Sequence, residues 1–155
     1  MSAPASEVFA INDEKEPKLA PPFDAPGLDG DKITLDSLKG KAIILNFWAT
    51  WCIPCKMEMP LLEQVYNDNK DKGLVIIGAN YRQPAPIIKR FISKNPISFP
   101  ILLDEDGKIS KKYGVFALPA TFFINREGHY LGSHTGLLTE ENLEEWLTKI
   151  MSNNG

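Results

Sequence analysis

The run Ala42-Ile43-Ile44-Leu45-Asn46-Phe47-Trp48, followed at once by Ala49-Thr50-Trp51-Cys52-Ile53-Pro54-Cys55, decides how this chain is read. Its first seven residues are almost continuously apolar, the pattern of a central strand buried on both faces. A helical pattern then runs from Pro54 to about Asn69, so the two cysteines stand where a strand hands over to a helix. Two cysteines three positions apart at a helix start lie on one side of the first turn. Helix geometry puts their Cα atoms roughly 5 Å apart, within reach of a disulfide. The same end offers unpaired N–H groups and the positive pole of the helix, both of which stabilise a thiolate. A thiol that titrates near ~8.5 in free cysteine falls to roughly 3.5–7.5 in such a place. The pair can therefore open and close near neutral pH.

Composition narrows the remaining choices. At 155 residues and 43% apolar content the chain is one ordinary globular domain. A net charge of −3 gives no basic face for nucleic acid or anionic lipid. No run of apolar residues is long enough to cross a membrane as a helix. The two cysteines are no structural staple, because so short a loop constrains the unfolded chain little; they serve redox chemistry or metal. Residues 1–20, rich in Ser, Ala, Pro, Glu and Lys and without periodicity, are expected as a flexible segment ahead of a domain over 21–152. They lack the apolar centre of a signal peptide. That fits either a cytoplasmic protein or a chain whose signal or anchor has been removed.

Outward from the cysteines, the helix over 54–69 carries Met57, Leu61, Leu62 and Val65 as its expected apolar stripe, with Pro60 inside it expected to kink it. Upstream, residues 23–34 read as a hairpin turning at Asp29-Gly30, followed by a single helical turn ending at Gly40. Downstream, Leu74 to Ala79 is a second buried strand and Pro86 to Lys94 an amphipathic helix. Ile101-Leu102-Leu103 is a short strand, and Lys108 to Tyr113 a short helix. Thr121 to Asn125 and His129 to Thr135 are strands joined by a turn at Arg126-Glu127-Gly128. Thr139 caps the last helix, with Asn142 where a capping-box acid would sit and Leu143, Trp146, Leu147 and Ile150 on its core face. Strand–helix alternation followed by a hairpin and a helix implies a mixed α/β sheet covered on both faces.

This order, with Phe47-Trp48-Ala49-Thr50-Trp51-Cys52-Ile53-Pro54-Cys55-Lys56, resembles the thioredoxin superfamily, and within it the extracytoplasmic TlpA/ResA type of thiol–disulfide oxidoreductase. Pro60 falls five residues after the second cysteine, where that family kinks its helix. Glu58 matches the acidic residue of the TlpA/ResA branch. Leu118-Pro119-Ala120-Thr121-Phe122 matches the cis-proline loop, and the hairpin and the helix near 86–94 match the branch's additions to the minimal fold. Two departures from ordinary thioredoxin stand out. Asn46 replaces the buried Asp of the central strand and cannot titrate, and Ile53-Pro54 replaces Gly-Pro.

The resemblance implies a thioredoxin fold and a protein-disulfide reductase. Cys52 would attack from the solvent-reached helix edge, and Cys55, one turn deeper, would resolve the mixed disulfide. Glu58, three residues beyond Cys55 on the same face, would take up its proton and titrate above its usual value. A solvated helix carboxylate is the competing reading of Glu58. Pro119 is predicted cis; with Trp51, Ile53, Pro54 and Leu118 it would bind substrate, Ala117 joining the apolar rim. The disulfide itself serves as the redox group, with no added cofactor and no metal. Implied partners are extracytoplasmic disulfide proteins, apocytochrome c during cytochrome c maturation among them, and a membrane electron donor of the CcdA/DsbD type; the chain is expected as a monomer, periplasmic or otherwise extracytoplasmic.

Two other readings compete. A peroxiredoxin-like peroxidase shares a similar N-terminal region but uses Thr-x-x-Cys. A metal-carrying assembly module on the same fold uses a wider cysteine spacing and a distal histidine. Structural zinc would need a second ligand pair; His129 and His134 on the hairpin read as plain strand residues.

Overall fold

The computed structural model describes residues 18–152. Eight strands and four helices are present among them. The chain opens with β1 (Lys18–Leu19), β2 (Asp24–Pro26) and β3 (Lys32–Thr34), then a 3-10 turn over Asp36–Leu38 and β4 (Ala42–Trp48). Next come α1 (Ile53–Asn69), β5 (Leu74–Tyr81), α2 (Ala85–Lys94) and β6 (Ile101–Asp104). The rest is α3 (Lys108–Lys112), β7 (Ala120–Ile124), β8 (His129–Thr135) and α4 (Glu140–Met151). None of these helices is long and apolar enough to cross a membrane.

Six strands form one sheet in the order β1-β8-β7-β4-β5-β6, and β2 and β3 pair as a separate hairpin. β4 runs parallel to β5 and antiparallel to β7, so it lies in the middle with all seven residues buried. Alternate side chains feed two cores. Ile44 and Trp48 join Met59 and Leu62 of α1, Ile88 of α2 and Leu143 and Ile150 of α4. Ile43, Leu45 and Phe47 join Ile109 and Tyr113 at α3 and Phe23 and Ala25 of the hairpin region. Three helices therefore cover one face, and the smallest helix with the hairpin covers the other.

Local chemistry explains several joints. Asp104, at the end of β6, accepts from the N–H groups of Ile109 (3.0 Å) and Ser110 (2.8 Å) and so starts α3. Gly132 lets Trp146 lie on β8, where any Cβ would collide with the indole, and Trp146 stacks on Phe123 at 4.4 Å. Gly73 takes φ +96° in the turn that leads from α1 to β5, a conformation that favours glycine. Leu62 is fully buried. Leu62→Ala should lower the unfolding free energy by about 2–5 kcal/mol, read from urea melts at unchanged m.

Some sequence expectations need correction. The sheet begins at Lys18, inside the segment expected to be flexible: Lys18 pairs with Tyr130 and Leu19 with His129, and Ala20 is buried. Residues 1–17 lie outside the described residues. Met57 is exposed, because the buried stripe of α1 is Cys55, Glu58, Met59 and Leu62. β5 continues to Tyr81, two residues beyond the expected end. The cap of α4 is as expected: Asn142 completes the capping box, its Oδ1 accepting from Thr139 N at 3.4 Å while its own N–H donates to Thr139 Oγ1 at 3.1 Å.

Candidate active site at the end of the central strand

The site forms where β4 ends. Cys52 N–H bonds to Ala49 O at 3.2 Å, closing a turn, and Cys52 then becomes the N-cap of α1. Ile53 and Pro54 fill the first two helical positions, where the missing proline N–H costs nothing. Cys52 and Cys55 are joined as a disulfide with Cα atoms 5.2 Å apart. The N–H of Cys55 points at Cys52 Sγ at 3.3 Å, the place an N-cap oxygen takes in other helices. A thiolate there would gain a charge-assisted bond as well as the helix pole.

The pair is more sheltered than the sequence suggests. Cys52 is only 5% exposed and Cys55 only 1%. Their chain neighbours Trp51 and Ile53 are 63% and 65% exposed. Pro54 is half-buried and Lys56 faces solvent.

The Leu118–Pro119 peptide is cis, as expected. Ala120 pairs with Phe47, so Pro119 lies at the end of β4 from which the cysteine turn hangs. Leu118, half-buried, packs against the apolar cluster that contains both cysteines. Gly136 N–H donates to Pro119 O at 2.8 Å and fixes the loop. Phe116, in the same loop, is 85% exposed and is not among the residues that the sequence pattern singles out. The signal in the sequence is a large aromatic in a stretch with no helix or strand period, three residues before the proline. Leu137, on the neighbouring loop, is exposed too.

Glu58 is no solvated helix carboxylate. It is 1% exposed, its Oε2 accepting from Asn46 Nδ2 at 2.7 Å and its Oε1 from Leu138 N at 2.9 Å. Asn46 Nδ2 donates also to Thr121 Oγ1 at 2.9 Å. Burial pushes the Glu58 carboxyl up from 4.5 to about 7, against the opposing pull of the Leu138 and Asn46 donors. The neutral Asn46 matters here. An Asp at that distance would put two carboxylates in contact and hold a proton between them; an amide leaves Glu58 free to ionise. The sequence places Asn46 and Glu58 but cannot show that Thr121 and Leu138 meet them.

Among the described residues, no group of three His, Cys, Asp or Glu side chains comes together in a way that could hold a metal ion. His134 instead sits with its Nε2 3.0 Å from Leu137 O. The arrangement is suited to reversible two-electron exchange between sulfurs.

The AhpC/TSA family matches residues 17–129 of the chain. A thiol-disulfide oxidoreductase ResA from Bacillus thuringiensis subsp. konkukian is 41% identical over 133 residues, spanning 86% of this chain and 77% of that protein. Among solved structures, a thiol:disulfide interchange protein of the thioredoxin family from Chlorobium tepidum superposes with a TM-score of 0.80 at 26% identity, covering 88% of this chain and 98% of that one. A secreted Mycobacterium tuberculosis disulfide oxidoreductase gives 0.72 at 30% identity, over 82% and 95% of the two chains. With its cysteine pair at the helix mouth and a cis-proline loop at the same end of the sheet, the chain belongs to the AhpC/TSA family and is a ResA-like thiol–disulfide oxidoreductase.

Proposed function

We propose that the protein reduces disulfides in extracytoplasmic proteins, with Cys52 as nucleophile, Cys55 as resolving thiol and Glu58 as the proton acceptor for Cys55. In the reduced enzyme the Cys52 thiolate attacks one sulfur of the substrate disulfide. A mixed disulfide forms and one substrate thiolate leaves. Cys55 then gives its proton to Glu58 and attacks Cys52 Sγ, which closes the disulfide found here and frees the second substrate thiolate. Two electrons have passed to the substrate, and a dithiol donor must return the enzyme to its starting state.

The observation that carries this reading is the buried Glu58, three residues beyond Cys55 on the same helix face, with its carboxyl raised to about 7. A base near neutrality accepts and returns a proton most efficiently. Trp51, Ile53 and Phe116 offer an apolar rim to an extended partner segment, beside Leu118 and Pro119. The secreted relative supports an extracytoplasmic setting. Apocytochrome c is the substrate that the ResA likeness favours, with a membrane dithiol donor of the CcdA/DsbD type. Peroxidase chemistry fits less well, because the residue three before Cys52 is Ala49 where that chemistry wants Thr.

Cys55→Ala tests the reading. It should accumulate a covalent adduct between Cys52 and its substrate in the native organism, released by dithiothreitol. Identification of the adducts reports substrate and compartment together. No adduct, or peroxide turnover faster than disulfide turnover, would overturn the proposal.

A further inference from the structure

A second polar cluster, which shares no residue with the Glu58 network, holds the cysteine turn. Thr50, two residues before Cys52, donates its backbone N–H to Gln83 Oε1 at 2.8 Å. Gln83 Nε2 returns a bond to Thr50 Oγ1, also 2.8 Å. Asn80, 1% exposed at the end of β5, donates from Nδ2 to the same Gln83 Oε1 at 3.0 Å. The orientation of all three groups follows from one fact. A backbone N–H can only donate, so Oε1 must face Thr50, Nε2 must face the hydroxyl and Asn80 must offer its amino group.

The backbone is shaped to deliver Gln83 there. Arg82, immediately before it, has φ +56°, the only positive φ at a non-glycine position among the described residues. Its N–H bonds to Asp104 O at 3.0 Å, which fastens the bend to β6. Pro84 follows as the N-cap of α2. An unfavourable backbone conformation held on both sides beside a reactive turn points to a positional role.

We propose that Gln83 is a positioning residue for Cys52: it clamps the Ala49–Cys52 turn so that the Cys52 sulfur faces the first amides of α1 and Trp51 faces the partner. The clamp joins the β5–α2 segment to the redox pair, which the oxidoreductase chemistry itself does not require. It rests on the reading of Cys52 as nucleophile. Loosening the turn lets the sulfur wander from the Cys55 N–H and the helix pole, so the thiolate loses stabilisation that depends on direction.

The test compares wild type, Gln83→Ala, Thr50→Val and the double variant in two assays. One is the pH dependence of iodoacetamide alkylation of reduced Cys52; the other is turnover of a disulfide-bonded peptide. Gln83→Ala should raise the Cys52 pKa by about one unit and lower kcat/KM about tenfold. Thr50→Val keeps the backbone bond and should shift both less. The double variant should match Gln83→Ala, because the hydroxyl has already lost its partner. A lower melting temperature with the Cys52 pKa and kcat/KM unmoved would overturn the proposal and leave Gln83 a plain tether. Failure of the wild type to reduce the peptide would instead overturn the redox reading.

Discussion

Cys52→Ala is expected to bring disulfide exchange down to the uncatalysed rate, the largest effect of any single change in this chain. Cys52 is the more exposed of the two residues, and its sulfur receives the Cys55 N–H at the helix mouth. Cys55 at 1% exposure cannot replace it against a folded or extended partner. The variant must be shown to fold, and it should. A bridge between residues three apart in sequence closes a very small loop, worth about 2 kcal/mol on chain-entropy grounds. Stopped-flow measurement of peptide-disulfide reduction, with circular dichroism as the check on folding, separates lost chemistry from lost structure. Residual turnover above background would move the chemistry away from Cys52.

Glu58→Gln, which keeps both cysteines, is expected to slow the reaction strongly and to show it as a changed pH profile. In the wild type, the resolving step should gain speed as pH rises through about 7, where the carboxyl ionises. Gln should remove that inflection and slow the step about tenfold to a hundredfold. The amide fits without unfolding the site: it can accept from Leu138 N–H and donate to Asn46 once that side chain turns over. Stability gives an independent reading. The folded carboxyl holds its proton up to about 7, whereas the unfolded one releases it near 4.5. The native state therefore binds more protons across that window, and wild-type stability falls as pH rises through it, by about 3 kcal/mol in total. Glu58→Gln should lose this slope. An unchanged rate profile together with an unchanged stability slope would reduce Glu58 to a buried fastening.

The sequence made the scaffold legible where local pattern and global burial agree. β4 announces itself because both faces are covered, so nearly every residue is apolar. The cysteine pair was readable from its place between that strand and a helix. The α1 stripe is hard to read because its buried side includes Glu58; a charge at a core position breaks the apolar rhythm, and Met57 fits the apolar pattern while facing water. Glu58 itself could be singled out only through family likeness, as could the cis form of Pro119. Its partners were out of reach, since Leu138 is eighty residues away and Thr121 meets Asn46 across seventy-five. Phe116 and Gln83 are illegible in the sequence for a related reason. Nothing in a single sequence distinguishes a loop aromatic left in water from one folded inward, or a loop amide that reaches back to another turn.

β4 lies between β7 and β5 in the sheet. Its backbone is bonded to neighbours on both edges and screened above and below, so its amide protons should trade with deuterium only when the whole domain opens. The small β2–β3 ribbon, with half its residues open to water, should trade far sooner. The reactive turn is thus moored to the last part of the molecule to let go. Each cycle of bond making and breaking can disturb its own few residues while the ground beneath them stays still.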